Sequence, residues 1–448
     1  MSADKIITLV ILILMFGLVS QYTKILHHTG DVIRVTPTAT SPMNIMVVPN
    51  QPKISFSGGG DHGQTIMTNA SLSALTNSSS DFYLALGDLS YGNPGTETSW
   101  CNLVKYYVGQ TYPFELVAGN HEDNGPNGLI TNFIQCLPDR LNSTGTYGTQ
   151  YYFDYKNLAR IIMISPNLTI SGVPYEYIPN NPNYMWLSDR IDEARVLGIP
   201  WIIVGMHKVC VSAALHNCDI GIGLINLLMS KRVDLVLQGH DHVYERSKQL
   251  GCVYQGTFNS SCIVNNGPNY IKGTGTVFVI SGNFGQSLYN INTNDPEINY
   301  FAAWTGSNIN PTFGFVQYNI SSSKIKYGGF DTKLSSKFIR SFGGTFNDSF
   351  NIIKTDYNPP IISSVSTYSI TSNSAVITWT TNELSDSQVE YGTTINYGSA
   401  TQLNSNLVTS HSQALNNLLS STLYHYRLRS RDSQGNLAIS QDFTFTTL

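Results

Sequence analysis

Residues 233–242 read VDLVLQGHDH, in which a short, mostly apolar run, Val233–Leu237, leads into two histidines, His240 and His242. A run of this length, rich in branched aliphatic residues, reads as a buried β-strand. The same arrangement recurs upstream. KISFS (53–57) leads to Asp61, FYLAL (82–86) to Asp88 and Tyr91, FELVA (114–118) to Asn120 and His121, and WIIV (201–204) to His207. Between the runs lie helix-forming stretches such as NYMWLSDRIDEARVL (183–197), which is the alternation of an α/β domain. In an open α/β sheet, ligands gather at the carboxyl ends of the strands, so these side chains are expected to share one rim.

The chemistry of the set is coherent. Asp61 and Asp88 supply carboxylates, Asn120 an amide, and His207, His240 and His242 imidazoles. A mixed oxygen and nitrogen set suits Fe, Mn or Zn, whereas Ca or Mg favour all-oxygen sites. Two metals ~3.5–4 Å apart require a bridging carboxylate, and Asp88 is the natural bridge. His240 and His242 are two residues apart, so an extended segment would point both rings one way and Asp241 the other. Asn120 and His121 diverge, which leaves one for metal and one for substrate. Tyr91 follows Asp88 by three residues. A phenol, ordinarily protonated up to pH ~10, becomes a ligand near neutrality beside a strong Lewis acid such as Fe(III). The stretch GGGDHG (58–63) also matches a dinucleotide fingerprint, but Asp61 would oppose a pyrophosphate there and the downstream segment does not read convincingly as an amphipathic helix. His62, His411 and His425 read as ordinary surface or core residues, and His27 and His28 as stalk residues.

Five blocks stand in order: DHG (61–63), GDLSY (87–91), GNHE (119–122), VGMH (204–207) and GHDH (239–242), the last extended as GHDHVYERS to residue 247. Over roughly residues 53–317 the chain thus resembles the purple acid phosphatases within the calcineurin-like metallophosphoesterases. The resemblance implies an α/β metallophosphoesterase β-sandwich flanked by helices. It implies that Asp61, Tyr91 and His242 hold Fe(III), that Asp88 bridges, and that Asn120, His207 and His240 hold a divalent Fe, Zn or Mn. His121 would contact the phosphate. His216, nine residues past His207, matches a family position that orients substrate or protonates the leaving alcohol, although Asn217 stands where plant relatives have a second histidine. The implied activity is hydrolysis of phosphate monoesters, from phosphorylated small molecules or phosphoproteins, by a metal-bound hydroxide. Two alternatives stay open: a phosphodiesterase or nucleotide hydrolase on the same site, and a non-catalytic surface adhesion protein.

The 448 residues carry a net charge of -4 and only 12% charged side chains, so the chain offers no basic footprint for nucleic acid and no signature of disorder. Residues 1–24, with the apolar run IITLVILILMFGLVS (6–20), read as a signal peptide or signal anchor, leaving membrane anchoring through residues 6–22 open. A stalk over 25–50 is expected to precede a catalytic domain at 51–346, and a linker at 347–358 to precede an all-β domain at 359–448. In that last domain AVITW (375–379), QVEY (388–391), YHYRLR (424–429) and FTFT (443–446) alternate as strands, while LLSSTLY (418–424) resembles the tyrosine corner of fibronectin type III domains. The fibronectin resemblance implies a spacer or a surface for cell contacts, and in plant relatives the corresponding domain comes first. Six cysteines suit an oxidising, extracytoplasmic compartment, secreted or membrane-anchored, as disulfides or as buried thiols. Cys210 and Cys218 bracket His216, where a disulfide would fix the loop, and Cys252 lies near Cys262, leaving Cys101 with Cys136. Seven glycosylation triplets, from Asn69 to Asn347, add weak support for export.

Overall fold

The computed structural model describes residues 53–123, 127–324, 330–356 and 358–448. The expected signal segment and stalk lie outside the described residues, as does Tyr357 of the expected linker, whose residues Ser349–Ile353 instead form a strand of the larger domain. Among the described residues, no helix is long and apolar enough to cross a membrane.

Two mixed sheets build the larger domain. The first has seven strands, in the order 269–271, 349–353, 330–343, 312–324, 53–59, 82–86 and 114–117. The second has eight, in the order 301–305, 244–247, 277–281, 235–238, 201–206, 159–164, 150–155 and 144–146. Each contains a parallel half, in which Lys53–Gly59, Phe82–Leu86 and Phe114–Val117 run together in one sheet. Ala159–Ile164, Trp201–Met206, Leu235–Gln238 and Val277–Ser281 do so in the other.

The apolar runs identified in the sequence are these parallel strands, and their lack of polar alternation follows from burial on both faces. Phe82, Leu84 and Leu86 enter the layer between the sheets with Met163, Ile203 and Leu237. Tyr83 and Ala85, of opposite parity, pack instead with Leu72, Trp100 and Val104 from the helices Ile66–Thr76 and Glu97–Val108. Ile202, Val204 and Met206 likewise turn outward, under the helices Pro182–Val196 and Ile222–Ser230. Full burial of one such leucine or isoleucine contributes about 1.5–3 kcal/mol. The helices therefore cover the two outer faces of a β-sandwich, and both parallel halves direct their carboxyl ends to one edge.

The C-terminal region is all β. The long strand Ser374–Gly392 pairs through its first half with Ile362–Tyr368 and Asn404–Asn416, and through its second half with Leu423–Arg431. Trp379 is buried among Ile377, Leu415, Tyr424 and Leu428, and its Nε1 donates to Ser430 Oγ at 2.9 Å. Tyr424 Oη accepts the backbone N–H of Leu419 at 2.9 Å, a bond of the tyrosine-corner kind. Contacts tie this region to the larger domain: Lys231 Nζ donates to Ser405 Oγ at 3.1 Å, and Gln434 Oε1 accepts the N–H groups of Thr355 and Asp356 at 2.6 and 2.8 Å.

Candidate metal centre

The segments that follow the parallel strands are held against one another by their own backbones. Asp61 N–H donates to Gly87 O at 3.3 Å and His62 N–H to Asp88 O at 3.0 Å. Of the expected metal-binding side chains, Asp61, Asp88, Tyr91 and His240 have φ of 61°, 48°, 52° and 69°, a left-handed conformation that non-glycine residues rarely adopt. Strain of this kind costs on the order of 1–3 kcal/mol per residue and collects at functional sites. Glu122, fully enclosed, helps to hold it: its carboxyl group accepts the N–H groups of Asp88 (3.1 Å), Leu89 (2.9 Å) and Gly119 (2.9 Å). Burial, and then the charge of Asp88, push the Glu122 carboxyl up to about 8.

The donor atoms fall into two groups that share one atom. In the first, Tyr91 Oη lies 2.8 Å from Asp61 Oδ1, 3.0 Å from Asp88 Oδ2 and 3.0 Å from His242 Nε2. In the second, His207 Nε2 lies 3.0 Å from Asn120 Oδ1, 3.1 Å from His240 Nδ1 and 3.2 Å from Asp88 Oδ2. Asp88 Oδ2 belongs to both.

The outer nitrogen of each of these imidazoles faces an oxygen. His207 Nδ1 donates to Leu86 O at 2.8 Å, His242 Nδ1 to Ser287 O at 2.9 Å, and His240 Nε2 to Asp219 Oδ2 at 2.9 Å. With the outer proton so placed, the inner nitrogen presents a lone pair to the centre, which is the orientation a metal ligand requires. His207 and His240 then point inner nitrogens at each other, an arrangement that needs a positive charge between them. Burial would lower His207, but the Asp88 carboxylate outweighs it and pushes the imidazole up to about 9. Burial would raise Asp88, but the neighbouring His207 outweighs it and holds the carboxyl below its ordinary range. Burial and the carboxylates of Asp61 and Asp88 raise the Tyr91 phenol, so it keeps its proton unless a cation displaces it. The residues present therefore fit a pair of cations.

The two histidines assigned to substrate sit differently. The side chains of His121 and His216 are 31% and 28% exposed, whereas that of His207 is fully buried. His121 Nε2 is 3.6 Å from Asp88 Oδ2, and its Nδ1 is bonded to Asn127 Oδ1. His216 stacks on His240 with ring centroids 3.8 Å apart, and its Nδ1 meets Asp241 Oδ1 at 2.7 Å. All nine expected residues thus gather at one edge of the sandwich.

One expectation is corrected. Residues 240–243 form a succession of bends, not an extended segment, and His240 reaches the centre because its backbone is left-handed. Asp241 does point away from the metal-binding atoms, toward His216. The sequence reading missed Glu122, Asn127, Asp219, Asp241 and Tyr289, whose ring stacks on His242 at 4.1 Å. Glu122 and Asp241 lay inside quoted motifs, but the others carry no local signal. The cysteines pair as Cys101–Cys136, Cys210–Cys218 and Cys252–Cys262. His62 is a core residue, bonded to Tyr83 Oη at 3.0 Å and lowered to about 4 by burial.

Comparison with known proteins places this geometry in context. Residues 27–244 match the calcineurin-like phosphoesterase family model. The chain is 26% identical over 249 residues to probable purple acid phosphatase 20 of Arabidopsis thaliana, covering 53% of this chain and 54% of that protein. It is 26% identical over 230 residues to the Fe(3+)-Zn(2+) purple acid phosphatase 12 of the same plant, covering 47% of each. The aligned region thus spans about half the length of these curated relatives. A purple acid phosphatase from yellow lupin (Lupinus luteus) seeds shares the fold with a TM-score of 0.52 and 18% identity, over 68% of this chain and 54% of that one. Residues 27–244 are thus similar to the calcineurin-like phosphoesterases, the aligned half of the chain is similar to the purple acid phosphatases, and the lupin enzyme shares the fold.

Proposed function

We propose that the protein is a metal-dependent phosphomonoesterase of the purple acid phosphatase kind, secreted or surface-anchored. The observation that carries this reading is the sharing of Asp88 Oδ2 by the two donor groups, at 3.0 Å from Tyr91 Oη and 3.2 Å from His207 Nε2. Asp61, Tyr91 and His242 would hold Fe(III), Asn120, His207 and His240 a divalent Fe, Zn or Mn, and Asp88 both. When bound, such a pair supplies the Lewis acidity that polarises phosphoryl oxygens and activates water for attack on phosphorus.

The chain's own side chains do the rest. The exposed edge of His121 would meet an approaching phosphate, and because Nδ1–H is given to Asn127 Oδ1, only the imidazolium form would offer Nε2–H to a phosphoryl oxygen. Asn127 fixes that ring from behind, since its Nδ2 donates to the carbonyls of Tyr91 and Gly92 at 3.2 and 3.1 Å. His216, held at Nδ1 by Asp241, is left with Nε2 to deliver a proton to the departing alkoxide. The C-terminal domain, read as fibronectin type III-like, contributes none of these groups.

A diesterase would use the same atoms, so turnover decides between them. With p-nitrophenyl phosphate and bis-p-nitrophenyl phosphate as substrates, the proposal expects the monoester to be favoured in kcat/KM by at least about tenfold, a difference of ~1.4 kcal/mol in barrier. Preference for the diester would overturn it.

A further inference from the structure

Behind His216 lies a line of polar groups closed off from solvent. Asp241 Oδ1 takes the His216 ring at 2.7 Å and the backbone N–H groups of Leu215 and His216 at 3.3 and 3.2 Å. Its other oxygen, Oδ2, lies 2.5 Å from Ser212 Oγ, and Ser212 Oγ lies 3.0 Å from Glu245 Oε2. Asp241 and Glu245 are 0% exposed and Ser212 4%.

Counting hydrogens orients the chain. A serine hydroxyl has one hydrogen, and Ser212 Oγ faces carboxyl oxygens on two sides while also accepting the N–H of Ala214 at 3.1 Å. The hydrogen goes to Asp241, at the shorter distance. Glu245 Oε2 must then be the donor to Ser212 Oγ, and its Oε1 accepts Ala213 N–H at 3.1 Å. Burial first, and then the charge of Asp241, raise the Glu245 carboxyl well above its usual range, in keeping with that count. The donors run in one direction, from Glu245 through Ser212 to Asp241, which also accepts from His216 Nδ1. Network members of this kind polarise one another and fix the geometry of the terminal group.

We propose that Ser212 and Glu245 are positioning residues that act through Asp241 to fix the tautomer and the ring orientation of His216 at the metal centre. This rests on the phosphatase reading for its kinetic consequence. The ring needs such support because it is nearly a third exposed and otherwise rests against the rings of His240 and Tyr289, with centroids 3.8 and 6.1 Å away.

The test uses the full chain loaded with zinc, which is diamagnetic. Ser212→Ala, losing one hydroxyl, is expected to lower kcat on p-nitrophenyl phosphate by about 10- to 100-fold, with KM and metal content unchanged. Glu245→Ala is expected to do the same. Glu245→Gln, whose amide keeps both a donor for Ser212 Oγ and an acceptor for Ala213 N–H, is expected to recover most of the loss. In the proton NMR spectrum, a low-field His216 Nδ1–H resonance, identified by its absence in His216→Ala, is expected to move in Ser212→Ala and persist in Glu245→Gln. An unmoved resonance and unchanged kcat in Ser212→Ala would overturn the proposal, as would Glu245→Gln being as impaired as Glu245→Ala. The resonance also separates the two claims: a zinc-loaded wild-type chain inactive on the monoester would end the phosphatase reading, while the resonance would still report on positioning.

Discussion

Asp88 Oδ2 and His207 Nε2 lie 3.2 Å apart with neither side chain more than 2% exposed. A buried carboxylate facing an imidazole whose far nitrogen is tied to a carbonyl can be a salt bridge or half of a metal site. The same oxygen sits 3.0 Å from a tyrosine hydroxyl, which a salt bridge does not require. Asp88→Asn keeps the shape and removes the charge, and a neutral amide bridges two cations poorly. Metal content after gel filtration, measured by elemental analysis, should fall to near zero in that variant and turnover with it. Near-normal activity would contradict the role given to Asp88.

Gly119 bears on the same carboxylate. A Cβ there would overlap both Asp88 Oδ1 and the Asp88 backbone nitrogen. Gly119→Ala is therefore expected to displace Asp88 and lower metal occupancy nearly as far as Asp88→Asn. At Gly58 a Cβ would meet only ordinary contacts, the nearest being Leu84 O at 3.6 Å, and Gly58→Ala serves as the control that retains both metals.

Asp219 meets the centre through His240, whose Nε2 it holds at 2.9 Å. Partners of this kind orient a ligand and raise its basicity, and losing one costs about 10- to 100-fold in metal affinity. Asp219→Ala should weaken retention of the divalent ion by that factor in a chelator competition, leaving Fe(III) in place.

Much of this was legible in the sequence, because a strand buried on both faces writes itself as an apolar run, and the polar residue beyond it stands out. Asp61, Asp88, Asn120, His207 and His240 were found that way. Asp219 was not, because it reaches His240 from just past the Cys210–Cys218 loop, along a path no local pattern describes. Nor did spacing reveal why His240 and His242 converge. A two-residue alternation suggested a strand, whereas a left-handed φ of 69° at His240 turns the ring inward. In the C-terminal domain Trp379 and Tyr424 were legible as aromatics in alternating strands, but the single long strand Ser374–Gly392, whose two halves pair with different partners, was not.

His121 stands at the solvent side of the centre and outside both donor groups. His121→Ala should retain both metals and lower kcat by about 100-fold, within the range that general acid–base groups contribute. Metal loss in this variant would show that the residue has been assigned to the wrong role.

His411 gives the C-terminal domain a pH dependence of its own. Its ring stacks on Trp379 at 4.8 Å, its nitrogens meet Thr381 Oγ1 at 2.8 Å and Ser387 Oγ at 2.7 Å, and burial lowers it from 6.5 to about 4. A histidine held neutral in the fold contributes stability that is complete above pH 6.5 and is lost progressively as the pH falls toward 4. The C-terminal unfolding transition in calorimetry should therefore drop in Tm across that interval, and His411→Gln should flatten the slope. An identical slope in both proteins would remove His411 from the explanation.

The most direct test of the whole account is the visible spectrum of the purified protein alongside its metal content. The account expects two metal ions per chain, one of them iron, and a visible tyrosinate-to-Fe(III) charge-transfer band that disappears in Tyr91→Phe while iron remains bound. A band that survives the loss of the Tyr91 hydroxyl, or a protein that retains no iron beside its divalent ion, would contradict it.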